Sequence, residues 1–229
     1  MQDMFSAPGR CPNLTNKAQA YLDSLGADAE SLFYHALAVM HAQAYRVENA
    51  GALRQDWPRV PLPKTLDALQ ASARLGRQIA ALLDVEREVD GVTAGSIRDD
   101  LREIAVPSTT GAMPDYSVQG WGYLANGATM PGQGTVYEHD DSRLDVYLNP
   151  TTYWRNIPAE VWVYTLGGYQ VLKKWLSYRD HRVLGRPLHD HEVRAFMHIA
   201  RRIMAILTLE DDLDENYAAV KASVYDWQG

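Results

Sequence analysis

Two stretches in the first third of the chain repeat apolar residues at helical spacing. The first predicts a helix that is N-capped by Asp28 and runs to about Asn49. Its apolar positions are Leu32, Phe33, Ala36, Leu37, Met40 and Ala44. The second predicts a helix over about 66–85, with Leu69, Leu75, Ile79 and Leu82 on its buried side. Residues 57–63 between them hold three prolines, so this segment is predicted to be an extended strap.

The middle third follows a different pattern, with six glycines and three prolines between residues 107 and 134. This composition predicts long loops and short strands, and we place strands at 117–124, 135–139 and 143–148. The last strand alternates clearly, with Leu144, Val146 and Leu148 on one face and Arg143, Asp145 and Tyr147 on the other. Residues 139–142 would form the hairpin turn.

Helical spacing returns in the last third. We predict one turn at 160–164, a helix over 169–178, a basic loop over 179–187, and a final helix from about His189 or Asp190 past Asp214. The predicted fold is therefore α+β: mostly helical, with a small antiparallel sheet and long Gly/Pro-rich loops in the middle third. We treat 1–229 as a single domain, with a helical part at 13–90, a strand and loop part at 105–157, and a second helical part at 158–223.

Composition fits a packed globular protein, since 46% of the 229 residues are hydrophobic and 22% are charged. The sequence has no apolar run of the roughly 18–20 residues that a membrane-spanning helix needs, and residues 1–13 lack the pattern of a signal peptide. The single cysteine, Cys11, excludes an internal disulfide. We expect a cytoplasmic protein. The irregular lead-in over residues 1–14 suggests a fragment boundary.

Charge is unevenly distributed along the chain, although the net charge is only −7. Residues 169–202 hold eight Lys or Arg against three Asp or Glu, which gives +5. Residues 203–229 hold one Lys against six acids, which gives −5, and residues 84–103 hold three Arg against seven acids, which gives −4. Solvated helix faces would explain this pattern, and so would a basic surface for an anionic partner.

Motifs for catalysis or metal binding are weak in this chain. Residues 149–153 begin with Asn-Pro and end with Tyr, but they are one residue longer than the Asn-Pro-Pro-Tyr type motif of amino-methyltransferases. His189, His191 and His198 lack the spacing of a zinc site, and residues 138–141 suit a hairpin tip better than a calcium loop. We find neither a GxSxG nucleophile elbow nor a phosphate-binding glycine loop. We expect no catalytic site in the chain.

The basic segment carries the strongest functional signal. We predict contacts to DNA phosphates by Lys173, Lys174, Arg179, Arg182 and Arg186, because cations at close spacing neutralise phosphates and release counterions. Arg143, Arg155 and the polar loops over 108–134 are candidates for base contacts. Simple solvation of a helix would also account for Lys173 and Lys174.

Four segments resemble one protein family. Residues 34–46 (YHALAVMHAQAYR) resemble the helix of type ISP restriction–modification enzymes that contains Leu-His-Ser-Pro-Ala-Tyr-Arg. Residues 58–63 (PRVPLP) resemble that family's Pro-Arg-Ile-Pro strap, and residues 161–162 with 167–176 (GGYQVLKKWL) resemble its C-terminal signature. The ordered match spans about 13–221. Gln43 stands where the family has a Ser-Pro turn, so the helix is expected to continue there.

The resemblance implies a C-terminal specificity domain that recognises a duplex-DNA sequence for a restriction–modification enzyme used in phage defence. In such enzymes the domain follows a helicase-like motor and an adenine-N6 DNA methyltransferase. Those neighbouring domains would be partners in the same polypeptide, S-adenosylmethionine would bind the methyltransferase, and this chain would hold no cofactor. The alternative hypothesis is a protein–protein docking module within the same defence enzyme, which the acidic segments would suit.

Overall fold

The computed structural model describes residues 12–123, 132–140 and 142–227. The helices are α1 Asn16–Leu25, α2 Ala29–His41, α3 Gln43–Glu48, α4 Ala50–Leu53, α5 Leu66–Leu83, α6 Asp99–Arg102, α7 Ala159–Val163, α8 Val171–Ser177, α9 His181–Leu184, α10 Asp190–Leu207 and α11 Glu210–Ala222. The strands are β1 Val106–Thr109, β2 Thr135–Glu138, β3 Arg143–Tyr147, β4 Thr152–Pro158, β5 Thr165–Leu166 and β6 Tyr169–Gln170.

The chain forms two compact units. Unit 1 comprises residues 1–84 and 208–229, and unit 2 comprises residues 85–207. Helices make up 49% of the structure, and the main sheet is small and antiparallel, so the predicted α+β class is confirmed. The division of a single domain into parts at 13–90, 105–157 and 158–223 stays a prediction. Within the described ranges, no helix is both long enough and apolar enough to cross a membrane.

Unit 1 is built on the packing of α2 against α5. Thr65 caps the start of α5 by accepting a hydrogen bond from the Ala68 N–H, and Asp28 caps α2 in the predicted way by accepting from the Ser31 N–H. The two helices approach so closely at Gly76 that a Cβ there would overlap the backbone carbonyl of Tyr34. Residues 57–62 between α4 and α5 are non-helical, as their prolines predicted.

The predicted helix over 28–49 is interrupted at Ala42, where the backbone is extended with φ −62° and ψ 128°. Gln43 therefore does not carry the helix through this point, and the expectation of continuity was wrong. A tertiary contact explains the break: the Asp214 carboxylate of α11 accepts a hydrogen bond from the Ala44 N–H at 2.9 Å, in the first turn of α3.

Two of the apolar positions of α2 lie outside its buried face. Phe33 and Met40 are exposed, whereas the buried positions are Ser31, His35, Ala38 and Val39. Because apolar residues occur all around this helix, helical spacing alone did not determine which side would be buried.

Unit 2 contains a four-stranded antiparallel sheet in the order β1-β4-β3-β2. As predicted, Leu144 and Val146 of β3 are buried. Trp154 of β4 stacks on Phe196 of α10, with ring centroids 3.9 Å apart, so α10 covers this face. The β2–β3 turn is held by Asp140, whose Oδ1 accepts hydrogen bonds from the backbone N–H groups of Ser142 and Arg143.

Three predictions for the middle and last thirds of the chain need correction. Residues 117–122 form no strand, and Leu124 lies outside the described residues. The basic loop over 179–187 contains the helical turn α9. The final helix is two helices, α10 and α11, separated at residues 208–209, and the acidic first turn of α11 favours a new helix start because a helix N-terminus stabilises negative charge. The sequence pattern also missed β1 and β4.

Candidate nucleic-acid interface

The predicted phosphate-binding residues of unit 2 lie on and next to two short helices, α8 and α9. β5 and β6 form a hairpin closed by Gly167 and Gly168, and α8 follows directly with Lys173 and Lys174. The chain then reaches α9 and the start of α10, which hold Arg182 and Glu192 respectively. The five predicted phosphate-binding residues therefore lie within one stretch of 14 residues, with Arg179 and Arg186 outside the helices.

Lys174 lies among three tyrosine rings. Its Nζ is 4.6 Å from the ring centroid of Tyr169, 4.8 Å from that of Tyr178 and 5.1 Å from that of Tyr123. It also donates a hydrogen bond to the Tyr123 hydroxyl. This hydrogen bond raises the pKa of Lys174 and lowers that of Tyr123. The rings hold the ammonium group by cation–π attraction without neutralising its charge.

Lys173 keeps its positive charge as well. Its Nζ donates to the Oε1 of Gln133 at 2.9 Å, and the amide carries no charge. Among the described residues, neither Lys173 nor Lys174 has a carboxylate within ion-pair distance. These two lysines therefore present uncompensated charge to an anionic partner.

Arg182 is bound to a buried carboxylate. Asp180 is 1% exposed and receives hydrogen bonds from the Arg182 Nε at 3.0 Å and from the backbone N–H groups of Trp121 and Gly122 at 3.0 and 2.8 Å. Burial raises the pKa of Asp180, but the hydrogen bonds from Arg182 and Gly122 outweigh it and hold the pKa below its usual range. Because the Trp121 and Gly122 N–H groups bond to Asp180, they are not available to a neighbouring strand, which explains why residues 117–122 form no strand.

Arg179 and Arg186 share a second carboxylate, that of Glu192. Arg186 binds it through both Nη atoms, at 2.7 and 3.3 Å, and the Nε of Arg179 lies 3.8 Å away. The hydrogen bond from Arg186 is the main reason that the pKa of Glu192 is lowered to about 2. Glu192 also accepts from the His189 N–H and so caps α10. The Arg179 guanidinium lies 4.0 Å from the centroid of the Trp175 ring.

The two predicted base-contacting arginines differ from each other. Arg155 extends from β4 and forms an exposed ion pair with Glu103 at 2.9 Å. Arg143 begins β3 and is half-buried, and no carboxylate of the described residues lies within ion-pair distance of it. Of the loops over 108–134, residues 124–131 lie outside the described residues.

Asn149 is fully committed to the loop that it begins. Its amide nitrogen donates to the backbone carbonyls of Asp115 and Ser117, and its amide oxygen accepts from the N–H groups of Thr151 and Thr152. The side chain therefore has no free donor or acceptor for a flipped base, which agrees with setting the methyltransferase-type motif aside.

Histidines of α10 do not form a metal site within the described ranges, where no group of three or more metal-binding side chains is found. The rings of His189 and His191 stack at 5.6 Å. His139, at the hairpin tip, lies 2.9 Å from the Asp145 carboxylate.

Sequence reasoning missed the tyrosine rings around Lys174 and the two carboxylates that hold the arginines. Tyr178 could have been found, because it lies one helical turn after Lys174. Tyr123 is 51 positions away, and Asp180 is 58 positions from Gly122, so no local spacing rule connects these residues.

Comparison with known proteins now bears on this surface. The family described as the Type ISP C-terminal specificity domain matches residues 2–206. Among solved structures, the chain is similar to a nuclease-deletion mutant of the Type ISP restriction–modification enzyme LlaGI in complex with a DNA substrate mimic. That match has a TM-score of 0.51 and 19% identity, and it covers 81% of this chain and 14% of the other. At this identity it supports the fold alone.

A second similar structure is a cryo-EM structure of a DrdV–DNA complex, with a TM-score of 0.48 and 20% identity. The match covers 89% of this chain and 19% of that one. This chain thus spans less than a fifth of either protein. No curated protein matches it.

Proposed function

The chain belongs to the Type ISP C-terminal specificity domain family, and we propose that it binds duplex DNA through the basic surface of unit 2. Its role is DNA target recognition in a restriction–modification enzyme. Recognition of a DNA site needs contacts that fix the register on the phosphates and contacts that read base edges. The structure suggests a different group of residues for each task.

Uncompensated charge at Lys173 and Lys174 is the observation that carries this proposal. Both lysines follow the hairpin on one short helix and have no described carboxylate partner, so they can neutralise phosphates without first breaking an ion pair. The rings around Lys174 reduce the freedom that its long side chain would lose on binding.

The three arginines have a second task in this proposal. Arg179, Arg182 and Arg186 hold the fold through Asp180 and Glu192, and they present their remaining donors to the phosphates. Each is partly exposed, at 31%, 57% and 38% of its side chain, so contact with DNA does not require them to leave their carboxylates. Their charge is partly compensated, and we expect each to contribute less to binding than either lysine.

Base contacts are assigned to Arg143, Arg155 and the polar loops over 108–134. Arg143 is the better of the two arginines, because it has no ion pair with a described carboxylate and a guanidinium can bind both acceptors of a guanine in the major groove. Arg155 would first have to release Glu103.

Catalysis is proposed to lie in neighbouring domains of a longer polypeptide. Because this chain spans 14% of the LlaGI mutant and 19% of the DrdV chain, most of such a protein lies outside it. We propose that the parent is an adenine-N6 DNA methyltransferase with restriction activity and a helicase-like motor, and that S-adenosylmethionine binds its methyltransferase domain. The specificity domain would then hold the duplex while the methyltransferase extrudes the target adenine.

Selection from a mixed duplex library tests the recognition role directly. The chain is incubated with the library at low and at physiological salt, and the bound pool is sequenced. We expect enrichment of one short motif and weaker binding as salt rises. Failure to bind any duplex at low salt would contradict the proposal and favour the docking-module alternative.

The substitution Lys174→Ala tests the phosphate contact. We expect weaker binding to every duplex by a similar factor, and a salt dependence reduced by about one phosphate equivalent. Lys17→Ala is the matched control, because Lys17 is an exposed lysine on α1 of unit 1. The assignment fails if Lys174→Ala behaves like the control, or if its effect depends on the sequence of the duplex.

A further inference from the structure

The β5–β6 hairpin has an exposed glycine turn and lies next to Lys174, and phosphate binding by the basic residues does not by itself explain these two features. We infer that this hairpin enters the major groove of the target duplex, where Leu166 and Tyr169 contact base edges. The inference rests on the proposed DNA-binding function and goes further by naming the element that determines specificity.

Gly167 and Gly168 close the hairpin as a two-residue turn. Both have positive φ, at 59° and 83°, as the tight turns that match the twist of a hairpin require. An added Cβ at either glycine would meet no atom within 4 Å, so packing does not require glycine there. Residues 165–169 are all exposed. Because the two glycines at the tip have no side chains, the narrow backbone turn can approach another molecule closely.

Leu166 and Tyr169 lie directly opposite each other across the hairpin, so their side chains extend from the same face. They are 50% and 51% exposed, although they are the two largest residues of the hairpin. An apolar side chain such as Leu166 can contact a thymine methyl group in the major groove, and a tyrosine ring can pack beside it and present a hydroxyl to base edges.

The adjacent charge indicates that the partner is a nucleic acid. The centroid of the exposed Tyr169 ring also lies 4.6 Å from the Lys174 ammonium. The groove-facing residue and the phosphate-binding residue are thus in direct contact. Since phosphates line both edges of a DNA groove, a hairpin inside the groove places the lysine at its base near the backbone.

The width of the hairpin favours the major groove over the minor groove. The hairpin is a two-stranded ribbon, and the major groove, about 12 Å wide, accommodates such a ribbon, whereas the minor groove is only about 6 Å wide. The major groove also distinguishes all four base pairs, so a short ribbon with two contacting side chains can be selective there.

Leu166→Ala tests the inference, with Val183→Ala as the matched control because Val183 is an aliphatic residue of unit 2 that is 60% exposed. The motif enriched by the wild-type chain is compared with an unrelated duplex of equal length. We expect Leu166→Ala to reduce the preference for the motif by about five- to tenfold, while affinity for the unrelated duplex and its salt dependence stay unchanged. Val183→Ala should change neither.

A second arm of the experiment replaces each thymine of the motif by deoxyuridine, which removes only the methyl group in the major groove. One replacement should weaken wild-type binding and have no further effect on Leu166→Ala. The inference is overturned if Leu166→Ala weakens both duplexes equally, if it matches the control, or if no replacement distinguishes it from wild type. If the wild-type chain enriches no motif, the proposed function fails first, and that outcome is separate from the others.

Discussion

The two units differ in the hydrogen bonds that stabilise each of them internally. In unit 1, the ring of buried His35 bonds to the Ser72 hydroxyl at 2.8 Å and to the Pro61 carbonyl at 2.9 Å. Asn216 of α11 donates to the same Ser72 hydroxyl at 3.0 Å. In unit 2 the corresponding role belongs to the ionised carboxylates of Asp180 and Glu192. Unit 1 thus contains a buried network of neutral groups, whereas unit 2 contains two ionised carboxylates that arginines and backbone N–H groups hold.

This difference shows how a basic surface can be built without relying on every cation for binding. A buried carboxylate is compensated by its neighbours, so part of the charge of the arginines next to Asp180 and Glu192 is already neutralised within unit 2. The His35 network needs no counter-charge, because its members are neutral groups. Sequence counts of Lys and Arg consequently overstate the charge that unit 2 offers to DNA.

The largest effect is expected from Asp180→Ala. The substitution leaves the buried N–H groups of Trp121 and Gly122 without their acceptor, and it removes the cap of α9. We expect the free energy of unfolding to fall by about 3–5 kcal/mol, measured by urea denaturation. Hydrogen exchange should show the loss of protection at the Trp121 and Gly122 amides.

Arg182→Ala is the control for this prediction, because the Arg182 side chain is 57% exposed and only one partner of the carboxylate is lost. Its effect on stability should be much smaller than that of Asp180→Ala. Equal effects of the two substitutions would mean that the ion pair between Arg182 and Asp180, rather than the backbone hydrogen bonds to Asp180, stabilises unit 2.

The second largest effect is expected on the pH dependence of the free energy of unfolding. Because the pKa of Glu192 is about 2 in the folded chain and about 4.5 without its partners, its stabilising contribution is present above pH 4.5 and is lost as pH falls towards 2. Glu192→Gln should lower the free energy of unfolding by roughly 2–3 kcal/mol at neutral pH and flatten its decline below pH 4.5. Urea titrations between pH 2 and pH 7 provide the measurement, and parallel curves would contradict it.

His35→Gln tests the stabilisation of unit 1 by a neutral buried ring, in contrast to the ionised Glu192 of unit 2. Burial lowers the pKa of His35 below its usual 6.5, so the folded chain resists a proton that the unfolded chain accepts. Stability from the neutral ring is therefore full above pH 6.5 and declines as pH falls below it. The variant should lose about 1–2 kcal/mol at pH 8, where one buried hydrogen bond is missing, and the difference from wild type should narrow by pH 5.

The comparison also explains what the sequence could predict. Local chemistry was sufficient for the Asp28 cap, the proline strap, the burial of Leu144 and Val146 in β3 and the overall α+β class. The predicted alternation of β3 was wrong at Asp145, which is buried like Leu144 and Val146. Local chemistry failed where a distant group acted on the backbone: Asp214 ends α2 at Ala42, and Asp180 prevents a strand at residues 117–122.

The features of the candidate site likewise divide into those that the sequence predicted and those that it could not. Spacing identified the basic segment, and the resemblance identified the family, but neither indicated which cations were already paired. Pairing depends on carboxylates such as Glu192 that point back along the chain, and on rings such as Tyr123 that come from a distant loop. The β5–β6 hairpin escaped prediction because two residues per strand are too few to show a period.

The smallest effect on stability is expected from Arg155→Ala, and it sharpens the distinction between paired and unpaired cations. Arg155 and Glu103 are 51% and 61% exposed, so the loss of their ion pair should change the free energy of unfolding by no more than about 0.5 kcal/mol. If Arg155 reads a base, the same substitution should reduce preference for the enriched motif at one position, as measured by repeating the library selection. Arg143→Ala should have the larger effect on preference, since Arg143 forms no ion pair with a carboxylate of the described residues that it would have to leave. The reverse order would mean that an exposed ion pair does not restrain an arginine at this surface, and the ranking of the basic residues by their pairing would then have to be abandoned.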